Sequence, residues 1–228
     1  MQEPAGQSEA ILPPPELVIF DCDGVLVDSE RLANQVLADW LAEHGIHLTF
    51  EQTVDQFIGR SLPDCLTVIA QLLGREPPAA FVTTLEQRFR AVLKADLVAV
   101  PGVEAVLDAL TVPYCVASNA SRSMMRFELG HTGLLGRFTD RMYSSEDVSA
   151  PKPAPDLFLH AARDCGANPE RCVVVEDTPT GVVAARAAGM QVYAFAGLTP
   201  TSRLKAAGAH DVFSSMPELP RLLDRNPD

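Results

Sequence analysis

Leu17-Val18-Ile19-Phe20 is an apolar run with no polar alternation, and it stops at Asp21. A strand covered on both faces reads this way, so the run predicts an inner strand of a parallel sheet. The same pattern returns at 114–117, 172–175 and 191–195, with a weaker version at 141–144. Helical spacing lies between these runs. Apolar residues fall at 103, 106, 107 and 110, then at 157, 158, 161, 162 and 165. An Ala-rich stretch from 181 to 188 ends at Gly189, a natural helix stop. Strands alternating with helices predict an α/β fold with a doubly wound parallel sheet.

One stretch breaks the alternation. From 28 to 97 the chain shows helical periodicity and no convincing strand: Leu32, Val36, Leu37, Trp40 and Leu41, then Leu66, Ile69, Ala70 and Leu73, then Phe81, Leu85, Phe89 and Leu93. The apolar runs on either side read as one sheet, so this stretch is expected to be an inserted α-helical domain. Pro101-Gly102 marks the return. The predicted organisation is a flexible Pro-rich leader over 1–15, a core built from 16–27 and 98–228, and the helical insertion over 28–97.

Composition narrows the class. The chain has 228 residues, 47% hydrophobic, 21% charged and 6% aromatic, which argues against disorder, collagen and coiled coil. No apolar run approaches the ~20 residues that would span a bilayer. Eighteen basic against 30 acidic residues give a net charge of −12, which argues against nucleic acid and anionic membranes as partners. The five cysteines are scattered and include no C-x-x-C, so they read as reduced core residues of a cytoplasmic chain. The opening residues lack the basic and apolar regions of a secretory signal.

Candidate chemistry sits where the strands end. Asp21-Cys22-Asp23-Gly24-Val25 follows the first run directly, and ligands of open α/β sheets bind at the carboxyl ends of strands. Two acids one residue apart there can divide the work between nucleophile or metal ligand and proton donor. A calcium loop needs a Glu where Leu32 stands. Glu176-Asp177 follows the 172–175 run and precedes Thr178-Pro179-Thr180-Gly181, where Asp and Thr also suit a helix N-cap. Four carboxylates in one crevice call for a cation, and an all-oxygen set favours Mg²⁺. Ser118-Asn119 follows a third run and offers either an ordinary N-cap or a grip on phosphate. Lys152, between Pro151 and Pro153, reads alone as a solvated turn.

These features, in this order, resemble the four motifs of the haloacid dehalogenase superfamily: Asp21 to Val25, Ser118-Asn119, Lys152-Pro153, and Glu176-Asp177 with Gly181. The resemblance covers about residues 16–220. The helical insertion after the first motif is similar to the cap of the β-phosphoglucomutase-like, sugar-phosphatase branch. The resemblance implies a Rossmann-like core with a mobile cap, and Mg²⁺ as cofactor. It implies Asp21 as nucleophile and Asp23 as general acid and base. It implies Mg²⁺ held by Asp21, the Asp23 backbone carbonyl, Asp177 and Glu176, and phosphate gripped by Ser118, Asn119 and Lys152. Arg60 of Gly59-Arg60-Ser61 looks like a substrate-specificity residue, or else a surface arginine. The carboxylate at Asp23 favours phosphate-ester chemistry over halide or phosphonate cleavage. The mutase-type His is missing around Leu32-Ala33-Asn34, which favours hydrolysis over a phosphomutase. A receiver-like phospho-switch fits less well, because its acids form an adjacent pair and it has no such insertion. His44, His47, Trp40 and Phe57 read as structural or surface residues. The expectation is therefore a monomeric cytoplasmic phosphatase of a small phosphorylated metabolite, a sugar phosphate or phosphorylated sugar acid.

Overall fold

The computed structural model describes residues 14–58, 60 and 62–224. Most of the expected leader, residues 1–13, lies outside them, as do Gly59 and Ser61. Six strands form one parallel sheet: β1 (Leu17–Phe20), β2 (Tyr114–Ser118), β3 (Met142–Ser144), β4 (Cys172–Glu176), β5 (Gln191–Phe195) and β6 (Asp211–Phe213), in the order β3-β2-β1-β4-β5-β6.

The order explains the unbroken apolar runs. β1 lies between β2 and β4, and its four residues are fully buried. Alternate residues feed two separate cores. Val18 and Phe20 pack on one face with α5 (Val103–Ala109), α6 (Arg122–His131) and α10 (Leu219–Leu223). Leu17 and Ile19 pack on the other with α7 (Asp156–Asp164), α8 (Pro179–Ala187) and α9 (Thr201–Ala206).

Between β1 and α5 run four helices: α1 (Ser29–Glu43), α2 (Phe50–Phe57), α3 (Leu62–Leu73) and α4 (Phe81–Asp96). They share a third apolar cluster around Leu37, Leu41, Phe57, Ile69 and Phe81. Trp40 packs against Phe81 with its ring under the Arg88 guanidinium, and the His44 ring nitrogen meets the Trp40 carbonyl, so both residues are structural. A capping box between Thr49 and Gln52 starts α2. The passages into and out of this insertion run side by side: Asp28 N–H donates to Val98 O and Val100 N–H to Leu26 O.

Four elements lie beyond the sequence reading. β6 has three residues, two of them only half-buried, so it lacks an apolar run. α6 buries only Met125, Glu128 and Leu129, and a charged residue in that stripe breaks the helical signature. α9 and α10 have six and five residues, too short for a periodic pattern.

Candidate active site

The strand order reverses between β1 and β4, so the loops leaving these neighbours diverge and open a crevice at their carboxyl ends. Asp21 ends the β1 run, its N–H donating to Val175 O at 2.9 Å. Glu176 is the last residue of β4 and Ser118 the last of β2. Lys152 comes from the loop between β3 and α7. Parallel pairing thus gathers residues far apart in sequence around a cavity of about 510 Å³. The insertion contributes Glu30, Arg60 and Asp64 to its other wall.

Lys152 is not a solvated turn. It is 6% exposed, and its Nζ donates to Asp21 Oδ1 at 2.5 Å, Glu176 Oε1 at 2.8 Å and Ala117 O at 2.9 Å. All three ammonium protons are used. Burial alone would lower the lysine pKa, but the Asp21 and Glu176 carboxylates outweigh it and raise it. Asn119 spends its side chain on this loop: Nδ2 donates to Lys152 O and Oδ1 accepts from Lys152 N–H, both at 3.0 Å. The N-cap considered at Ser118-Asn119 belongs to Ser121, whose hydroxyl accepts from Met124 N–H, because α6 starts three residues after Asn119.

Glu176 is pinned by four donors: Lys152 Nζ, Asp177 N–H, Thr178 N–H and the Thr178 hydroxyl. Thr178 is also the N-cap of α8, accepting from Gly181 N–H. Of the two residues suited to that cap, Thr178 takes it and Asp177 does not. Asp177 is 2% exposed, and its Oδ1 has no hydrogen-bond partner. Burial raises its carboxyl well above the usual range, and Glu176 and Asp21 push the same way. Gly24 has φ 74°, and a Cβ there would lie 2.1 Å from Asp177 Oδ2, so the motif glycine meets both a backbone and a space requirement.

A buried, unpartnered carboxylate oxygen in an all-oxygen setting fits a hard divalent cation. No three of the motif acids bring ligand atoms within 4.8 Å of one another. The one such trio of His, Cys, Asp or Glu among the described residues is Cys22, Asp23 and Glu128. This looseness suits Mg²⁺, which binds through one or two carboxylates, waters and substrate phosphate rather than in a protein cage.

Asp23 is half-buried. Its Oδ1 accepts from the Ser29 hydroxyl at 2.6 Å, and its Oδ2 lies 3.4 Å from the Ser118 hydroxyl. Burial raises Asp21 above the ordinary carboxyl range against the pull of Lys152. Arg60 is exposed, with its Nε donating to Gln56 O. Sequence reasoning did not single out Ser29, Glu30, Asp64 or Glu128. For Glu128 a signal existed: an acid one residue before Leu129, on the face that Met125 and Leu129 bury.

The family model described as "Hydrolase: haloacid dehalogenase-like hydrolase" matches residues 15–189. The 6-phosphogluconate phosphatase of Escherichia coli is 32% identical over 211 residues, spanning 91% of this chain and 94% of that protein. A conserved haloacid dehalogenase-like protein of unknown function from Agrobacterium tumefaciens superposes with a TM-score of 0.87 at 38% identity, covering 91% of this chain and 97% of that one. A HAD family hydrolase from Deinococcus radiodurans, solved with bound phosphate and sodium, gives 0.82 at 36% identity over 92% and 95%.

Proposed function

The chain belongs to the haloacid dehalogenase-like hydrolases and is a phosphoric monoester hydrolase, and we propose that it hydrolyses a small sugar phosphate or phosphorylated sugar acid through an aspartyl-phosphate on Asp21. The observation that carries this reading is the Asp21 carboxylate at the end of β1, held by buried Lys152 and flanked by Asp23 at the crevice.

Lys152 holds Asp21 Oδ1, which leaves Oδ2 to attack phosphorus. As that bond forms, the ester P–O bond breaks, and Asp23 gives its proton to the leaving alkoxide. Asp23 then takes a proton from water, whose oxygen attacks phosphorus. The P–O bond to Asp21 breaks, releasing inorganic phosphate and restoring the carboxylate. Lys152, Ser118 and the backbone after it offset charge on the phosphoryl oxygens. The Asn119 amide keeps the Lys152 loop in place, so its own contact with phosphate falls to its backbone. Asp177, Asp21, Glu176 and the Asp23 carbonyl are the groups that would hold Mg²⁺. When bound it supplies positive charge beside the phosphoryl group, in a chain of net charge −12. Residues 28–97 act as a cap that closes over the crevice and carries Arg60 toward the far end of the substrate. The substrate class is supported by the 6-phosphogluconate phosphatase relative and by an insert wall that combines Arg60 with carboxylates able to bind hydroxyls.

Phosphate release across a panel of sugar phosphates and phosphorylated sugar acids, with and without Mg²⁺, tests the reading. Turnover is expected on at least one of them, and Asp21→Asn, nearly isosteric, should abolish it with the fold intact. Retention of more than a few per cent of activity in that variant would overturn Asp21 as nucleophile.

A further inference from the structure

α2 ends at Phe57, and the carbonyls where it stops need partners. Arg60 serves two of them: its N–H donates to Phe57 O at 3.1 Å, and its Nε donates to Gln56 O. The next carbonyl, that of Ile58, is served from the core. Arg203 on α9 donates to it from Nη2 at 3.2 Å, across 145 positions of chain. The donor is a cation, so the bond is of the stronger, charge-assisted kind. Both ends are firmly set. Ile58 is 2% exposed, and its N–H donates to Val54 O at 3.0 Å. Leu204, next to Arg203, is fully buried in the apolar core on the α9 side of the sheet, and Arg203 N–H donates to Pro200 O at 2.9 Å.

We propose that Arg203 is a positioning residue for Arg60: it ties the carboxyl end of α2 to the core and so fixes where the Arg60 guanidinium stands at the crevice. This rests on the reading of Arg60 as the group that holds the far end of the substrate. Arg60 lines the crevice and Arg203 does not, so Arg203 acts through the backbone that joins Ile58 to Arg60 and not on substrate. The bond from the Ser29 hydroxyl to Asp23 also links insertion and core, but it sits at the root of α1, where it cannot hold the end of α2.

Arg203→Met keeps an unbranched apolar stem and removes the donors. Hydrogen exchange reads the tie directly. The Ile58 and Arg60 amides should exchange about 10-fold faster in Arg203→Met than in wild type, while those of β1 and β4 keep their rates. Kinetics read the consequence. On the sugar phosphate or phosphorylated sugar acid turned over fastest in the panel above, Arg203→Met should raise KM by about 10-fold and leave kcat within about threefold. On p-nitrophenyl phosphate, which offers Arg60 nothing to hold, it should change kcat/KM by less than about threefold. Added to Arg60→Ala, Arg203→Met should change KM for the panel substrate by less than about twofold, because two residues that act as a unit do not add. Should Arg203→Met fail to fold by circular dichroism, Arg203→Gln, whose amide is too short to reach, replaces it. Unchanged exchange at Ile58 and Arg60, equal losses on both substrates, or an Arg203 effect that persists in full without Arg60 would each overturn the proposal. If Arg60→Ala raises KM and Arg203→Met does not, only the Arg203 role fails; if Arg60→Ala leaves KM unchanged, the reading of Arg60 fails and this proposal with it. If no panel member is turned over, the substrate class fails, while the exchange rates still decide whether Arg203 holds α2.

Discussion

Gly181→Ala tests how tightly the site is built. Gly181 lies in the first turn of α8 with an ordinary helical backbone, where alanine should gain up to about 1 kcal/mol of helix propensity. The structure predicts the opposite sign. A Cβ at Gly181 would sit 1.7 Å from Glu176 Oε1 and 1.8 Å from its carboxyl carbon. The carboxylate has nowhere to retreat, being 1% exposed and pinned by Lys152, two backbone N–H groups and the Thr178 hydroxyl. Breaking one side of a buried ion pair costs about 3–5 kcal/mol. Crediting the helix gain leaves a net loss of about 2–4 kcal/mol. At about 2–4 °C per kcal/mol for a chain of this size, Tm should fall by roughly 4–16 °C. Turnover should fall as well, since Lys152 loses one of the two carboxylates that fix it beside Asp21. Gly136→Ala is the control: its Cβ meets nothing within 4 Å, and it should melt with the wild type. Thermal melts and phosphate release on the three proteins settle the point. A Gly181→Ala protein as stable and as active as wild type would refute the close fit between α8 and Glu176.

Other outcomes follow from the same geometry. If Mg²⁺ is held as proposed, EDTA should stop turnover and Mg²⁺ restore it, and Mg²⁺ added to metal-free protein should raise Tm by giving the unpartnered Asp177 Oδ1 a partner; full activity after exhaustive chelation would contradict this. Arg60→Ala should raise KM for a phosphorylated sugar acid far more than for p-nitrophenyl phosphate, which offers the guanidinium nothing to hold; equal effects on both would assign Arg60 to the fold or the general chemistry. Burial first, then the Asp23 charge, raises the Glu128 carboxyl from 4.5 to about 9. The folded chain therefore keeps a proton that the unfolded chain releases, so stability present below pH 4.5 is lost as pH rises toward 9, by at most about 1.4 kcal/mol per unit. Glu128→Gln removes that slope, so in urea melts of metal-free protein it should gain on the wild type from pH 5 to pH 8; parallel pH dependences would contradict a buried neutral Glu128.

Much of the architecture is a local property of the chain. Leu17-Val18-Ile19-Phe20 reads as an inner strand because burial on both faces demands apolar side chains at every position, and β1, β2, β4 and β5 were all legible for that reason. The helical character of 28–97 was legible because three apolar patterns of helical spacing, those of α1, α3 and α4, lie there without a strand-like run; α2 carried no pattern of its own in that reading. β6 and α6 were not, since a three-residue edge strand and a helix with a buried acid carry little periodic signal.

The candidate site divides along the same line. Asp21, Asp23, Glu176 and Asp177 stand at strand ends that the sequence marks, so their meeting in one crevice follows once the sheet is parallel. Lys152 read alone is a solvated turn, and Ser118-Asn119 read alone is either an N-cap or a grip on phosphate. Only the folded chain buries that ammonium against two carboxylates and spends the Asn119 amide on its loop. Glu128 stands 105 positions from Asp23 in the chain, and no pattern along the sequence joins them. Periodicity records which face of an element is covered. Which polar atom meets which across a core depends on how β1 and α6 pack, and that is decided in three dimensions.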